Sequence, residues 1–182
     1  MKKNKGYTLI ELIIVIAIIA VLSGVSLITL GIIKQAQYNT AATTLSDQMG
    51  SLLVKTKALS DPSNQPLCMA IQQNVATVTY ADGNTAKAGS YSVYLGNNTG
   101  SSFVAKSANT AEATLPNIIT IQYVPSDASQ KASFATDNYF VIQYNKADSS
   151  VKYGAGTYNI IYNGRTVASV YLDKATGNHY VE

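Results

Sequence analysis

The sequence predicts an α+β fold, in which one long N-terminal α-helix, hydrophobic in its first half and amphipathic in its second, packs on an antiparallel β-sheet head. Three observations predict it. Gly6 to Ile33 reads GYTLIELIIVIAIIAVLSGVSLITLGII, with Glu11 as its one charged residue. From Lys34 onward, apolar and small residues recur in steps of three and four, the spacing of one helical face. Beyond residue 74 the period changes to two, the mark of half-buried strands. A helix followed by a run of strands places the helix on one face of a sheet.

The first element is a membrane candidate. A helix rises ~1.5 Å per residue, so about 20 apolar residues cross a bilayer core of ~30 Å. Lys2, Lys3 and Lys5 precede the run, and Lys34 is the first charge after it. A secretory signal peptide has an apolar core of about 7–15 residues, which this run far exceeds, although Ser23-Gly24 imitates a cleavage site. A lipoprotein signal needs a cysteine just after the run, and Cys68 is the sole cysteine. A buried soluble helix is rarely apolar on every side for so long. A plain anchor, its N-terminus kept cytoplasmic by the lysines, fits the length. It leaves Glu11 unexplained, because an acidic residue deep in a spanning helix costs roughly 2.5–3.5 kcal/mol even on insertion scales.

Lys5-Gly6-Tyr7-Thr8-Leu9-Ile10-Glu11, followed by the apolar helix, resembles the class III signal of type IV pilins and pseudopilins. The resemblance implies that a prepilin peptidase cuts between Gly6 and Tyr7 and methylates the new amine on Tyr7. It implies that Glu11, fifth residue of the mature chain, is the assembly carboxylate. It also implies the type IV pilin-like fold. The mature terminus would be Tyr where the family more often has Phe, and both are aromatic. The chain then divides into a leader at 1–6, a transmembrane and filament-core half-helix at 7–33, an amphipathic half at 34–60 and a β-rich head at 61–182.

Glu11 has a physical reading of its own. A carboxylate in a low-dielectric medium is costly unless a cation stands beside it. The amine on Tyr7 lies only ~6 Å up the same helix. In a bundle of staggered parallel helices, Glu11 of one subunit meets the Tyr7 amine of the next, so the pairing sets the register.

The helix is expected to run from Tyr7 to Ser60. Its stripe is Tyr38, Ala41, Ala42, Leu45, Met49, Leu52, Leu53, Thr56 and Leu59, opposite Lys34, Gln37, Asp47, Ser51 and Lys55. Asp61-Pro62 ends it, since the residue before proline is driven out of the α region. Gly24 and Gly31 are the expected points of helix flexibility, glycine costing about 1 kcal/mol against alanine in a helix interior. Many pilins carry a proline near here, which this chain lacks.

Residues 61–74 read as a loop, from Asp61, Pro62, Ser63, Asn64 and Pro66. Strands are expected at 75–80, 91–95, 102–106, 117–124, 138–144, 157–162, 165–172 and 178–181. Asn163-Gly164 between two of them is a strong hairpin signal.

Composition narrows the function. The chain has 13 Lys and Arg against 10 Asp and Glu. Without Lys2, Lys3 and Lys5 the mature side chains balance at 10 against 10, so the excess charge reports topology and offers no nucleic-acid surface. One cysteine forms no internal bridge; many Gram-negative pilins close a C-terminal loop with a disulfide, so the resemblance implies a pilin of Gram-positive type. His179 has no second histidine or cysteine beside it in sequence for a metal site. Asp127, Asp137, Asp148 and Asp173 lack calcium-loop spacing and read as solvated turn residues. No glycine-rich phosphate loop occurs, so the chain is expected to be no enzyme and to need no metal or cofactor. Asn97-Asn98-Thr99 matches a glycosylation pattern only weakly. Tyrosine is in excess, with 13 Tyr against 3 Phe and no Trp; ordinary half-buried strand residues are the plainer reading, and an adhesive or intersubunit surface that includes exposed Tyr158 and Tyr162 is the sharper one.

These readings converge on a structural subunit of a type IV pilus used for adhesion, motility or aggregation. Its expected partners are other copies of the pilin, the prepilin peptidase, and inner-membrane assembly machinery with a separate ATPase. Its expected location is the cytoplasmic membrane as a single-pass prepilin, then the cell surface. A pseudopilin of a type II secretion or DNA-uptake system is the alternative. A membrane-anchored adhesin that never polymerises is the third reading.

Overall fold

The computed structural model describes residues 8–58, 67–98, 103–107, 110–130 and 139–182, with backbone only for 25–30, 98 and 139. Helix α1 spans Leu9–Ala58, 50 residues. Tyr7 and Ser60, its expected ends, lie outside the described residues. Glu11 sits in its first turn and Lys55 and Lys57 in its last, each suited to the local helix dipole. Contacts divide the chain into two units, Met1–Gln37 and Tyr38–Glu182.

In the first unit the helix runs unbroken through Gly24 and Gly31, and a Cβ added at either would meet nothing within 4 Å. Large apolar side chains from Leu9 to Leu22 are all more than half exposed. Among the described residues, no helix is long and apolar enough to cross a membrane.

The second unit contains the α1 stripe and the strands. Ala41, Ala42, Leu45, Met49, Leu52 and Thr56 are buried, as the helical spacing predicts. In chain order the strands are β1 (Leu67–Gln73), β2 (Val78–Thr79), β3 (Thr85–Ala86), β4 (Tyr91–Asn98), β5 (Phe103–Ala105) and β6 (Ala113–Leu115). They continue with β7 (Thr120–Pro125), β8 (Tyr139–Tyr144), β9 (Val151–Tyr153), β10 (Gly156–Tyr162), β11 (Arg165–Leu172) and β12 (His179–Val181). The head is not one sheet, as expected, but two antiparallel sheets and a ribbon. The larger sheet has the order β5-β4-β1-β8-β9 with β6 also on β4; the smaller is β12-β11-β10-β7, and β2 pairs with β3. Side chains of α1 and of both larger sheets share one core. A 3₁₀ turn at Ala128–Gln130 is a second, unexpected helical element.

The expected loop at 61–74 is corrected in part. Residues 67–73 form β1, the strand between β4 and β8. Leu67 to Ile71 are all buried, because Leu67, Met69 and Ile71 face the main core while Cys68 and Ala70 pack with Val141 and Phe103. A strand covered on both faces shows no alternation, so the period-two signal vanishes. The expected strand at 75–80 shrinks to Val78–Thr79, and Tyr80 instead turns inward to hydrogen-bond Ser92. The Asn163-Gly164 hairpin is present, with φ of 50° and 74°, as a type I′ turn requires.

Between β9 and β10 the chain leaves one sheet for the other through Gly154-Ala155-Gly156. Gly154 has φ 88°, and a Cβ there would stand 2.5 Å from the Val141 carbonyl oxygen, so only glycine fits this crossing.

Candidate functional site

The helix start is built by two residues. The Thr8 amide and the Thr8 hydroxyl both donate to Oε2 of Glu11 at 2.8 Å. The Glu11 amide donates back to the Thr8 hydroxyl at 3.4 Å. This is a reciprocal capping box, with Thr8 as N-cap and Glu11 three residues on. It satisfies amide groups that a helix start otherwise leaves without partners. It also folds the carboxylate back over the first turn, toward the chain that precedes Thr8. The sequence pattern Thr8-Leu-Ile-Glu11 ahead of an apolar run carries this signal, and the reading of Glu11 as an assembly residue passed over it.

The surroundings of Glu11 are apolar and open. Leu9, Ile10, Leu12 and Ile14 expose 78, 65, 56 and 52% of their surface. Between residues 12 and 24 the one hydroxyl, Ser23, donates back to the Ile19 carbonyl oxygen at 2.7 Å and so presents no unpaired proton to its apolar surroundings. Gly6 and Tyr7, the expected cleavage and methylation residues, lie outside the described residues. Gly24 and Gly31 carry open space on the helix surface.

Three aspartates of the head are engaged in structural contacts. Asp148 accepts from the Ser150 amide at 3.0 Å, and Asp173 accepts from the Thr176 amide at 2.8 Å, each closing its own turn. Asp127 accepts from the Ser129 hydroxyl and from Lys174 Nζ at 3.0 Å. The Ser129 hydroxyl, then Lys174, hold its carboxyl down at about 2. Asp137 lies outside the described residues. Among the described residues no three His, Cys, Asp or Glu side chains gather as for a metal ion. His179 packs over Gly50 of α1, where a Cβ would come within 3.3 Å of its Nε2.

The two tyrosines fit the plainer reading of strand residues, and the exposed surface is overturned at Tyr158. Tyr158 is fully buried and donates to the Gly154 carbonyl oxygen at 2.7 Å. Tyr162 is half-buried and lies against Tyr38, ring centroids 6.1 Å apart. Inward alternation along β10 puts Tyr158 in the core, because the solvent face of that strand is the opposite one from that expected.

Residues 1–27 match the family model of the prokaryotic N-terminal methylation motif, the class III signal of type IV pilin-like proteins. No curated protein and no solved structure matches the chain. The motif indicates a type IV pilin-like or pseudopilin precursor. It spans the expected leader, Glu11 and most of the apolar run, and stops before the strands.

Proposed function

We propose that the chain is a structural subunit of a type IV pilus, inserted in the cytoplasmic membrane as a prepilin and polymerised through its apolar helix into a surface filament. In this reading the leader 1–6 is removed after Gly6, Tyr7 is N-methylated, and 7–33 passes from lipid into the filament core. The amphipathic half 34–60 and the head 61–182 coat that core in a type IV pilin-like arrangement. The prepilin peptidase and an assembly machinery with its own ATPase act on the chain. The observation that carries the reading is the methylation motif at 1–27 joined to the Thr8–Glu11 box, at the head of a helix whose apolar side chains find no cover within the subunit.

The capping box gives Glu11 a place in the unassembled subunit. Two donors from Thr8 offset part of the cost of carrying a carboxylate in an apolar medium. Assembly then adds the cation of a neighbour's Tyr7 amine, on the side toward which the carboxylate is already folded. Gly24 and Gly31 supply small sites where neighbouring helices approach closely or the helix yields.

Mass spectrometry of filaments sheared from cells tests the proposal. The expected result is this chain as an abundant species, beginning at Tyr7 and heavier by one methyl group. A chain cleaved and methylated but found only in the envelope fraction points to the pseudopilin alternative. A chain that keeps residues 1–6 and still reaches the surface fits the adhesin and overturns the proposal. Glu11→Gln is expected to abolish or sharply reduce filament yield while the head stays folded.

A further inference from the structure

We propose that the tip of the β10–β11 hairpin, with Arg165 beside the Tyr38–Tyr162 ring pair, is a foot that rests on anionic headgroups of the bilayer holding the apolar run. The proposal depends on the membrane-inserted subunit described above and adds a lipid-binding surface on the head itself.

Three observations carry it. The first is exposure and register. Asn163, Gly164, Arg165 and Thr166 are all exposed. Arg165 stands directly opposite Tyr162 in the strand ladder, so the two share a face. That face is the one on which Tyr162 meets Tyr38.

The second is the tether. The chain leaves the apolar run at Ile33, and Tyr38 opens the second unit a handful of residues later. Whatever way the head leans, the end that bears Tyr38 is covalently held close to the bilayer surface. The hairpin tip belongs to that same end through the Tyr38–Tyr162 contact.

The third is charge. The hairpin Gly156–Leu172 contains Arg165 as its one charged residue and no Asp or Glu. The helix from Lys34 to Ser46 likewise contains no acidic residue. Both segments at this end are therefore basic, although the mature chain is balanced. A guanidinium offers a fork of donors that matches a phosphate, and tyrosine favours the boundary between hydrocarbon and water. Together they suit a phosphodiester headgroup above an acyl layer. The consequence is a head held with one end down before assembly, which presents a single orientation to incoming subunits.

The test uses the full chain with Thr166→Cys, reconstituted in phosphatidylcholine vesicles and in vesicles containing phosphatidylglycerol. Cys68 is buried and its thiol is pushed up to about 12, so a membrane-impermeant maleimide reports the introduced thiol. Modification is expected to slow roughly fivefold on the anionic vesicles, the factor one basic residue contributes at such a surface. High salt and Arg165→Glu should remove the difference, Arg165→Lys should keep it, and Lys87→Glu, an equal charge change at an exposed turn elsewhere, should leave it intact. A chain that floats with both vesicle types but is modified at equal rates on them overturns the foot and spares the membrane reading. So does undiminished protection in Arg165→Glu. A chain that floats with neither overturns both.

Discussion

Ile13 to Val21 and Leu45 to Leu52 are two stretches of one helix, the first apolar at every position and the second large and apolar only at Leu45, Met49 and Leu52. The large side chains of the first stretch are all more than half exposed, whereas Leu45, Met49 and Leu52 are buried almost completely. The difference lies in arrangement around the helix. The first stretch is apolar on every side and has no face to turn inward. The second is apolar on one stripe, and the strands of its own chain cover that stripe. Burial in one half is finished within the chain, while the side chains of the other half are left exposed.

The largest expected effect breaks this contrast at the buried half. Leu45→Ala should cost the head about 2–5 kcal/mol, read as a lowered urea midpoint, because its cavity is closed on all sides. Ile14→Ala should leave that midpoint within about 0.5 kcal/mol of the parent, since its side chain has no partner in the head. Equal losses from the two would mean the helix halves are not independent. Next comes the crossing between the sheets. Gly154→Ala places a Cβ against the Val141 carbonyl oxygen at a φ that alanine avoids, and should cost roughly 1–3 kcal/mol in the same measurement.

A smaller effect sharpens the picture of the exposed half. Thr8→Ala removes the N-cap and should destabilise the helix start by about 1 kcal/mol. It should appear as faster amide exchange over the first turn, with the head's unfolding unchanged. The smallest effect concerns acid. Asp127 titrates at about 2 in the folded head against an ordinary 3.8, so its contribution is present above about pH 4 and is lost as pH falls toward 2. Asp127→Asn should therefore lose less stability than the parent between pH 4 and 2. The residual acid sensitivity belongs to Asp148 and Asp173, whose carboxyls are also held down by their own turns.

What the sequence made legible followed from local rules. The stripe from Ala41 to Thr56 and the Asn163-Gly164 turn were readable because helical spacing and the positive φ of a type I′ turn are each set within a few residues. β1 was not, because its neighbours are supplied by strands far along the chain and cover both its faces. Its prolines at 62 and 66 made the whole stretch look like a loop. For Tyr158 the sequence left a half-buried strand position and an exposed surface both open, since a strand mixing Tyr, Asn and Ile offers two plausible inward sets and only the sheet partners choose. At the N-terminal end the motif was plain, yet one residue type served two readings. Glu11 was taken for a bonding partner of another subunit, and its local bond to Thr8 emerged only in the structure.

His179 resting on Gly50 has a consequence for how the chain is made. The helix is synthesised first, and although β1 and β4 join its core early, the strand that brings His179 against Gly50 is the last to be made. Contacts this distant in sequence form slowly. Until β12 is made, the face of α1 around Gly50 lacks that cover. Closure of the head is thus ordered by topology: truncations that remove β12 should lower the head's urea midpoint, and the helix should look intact in every one of them.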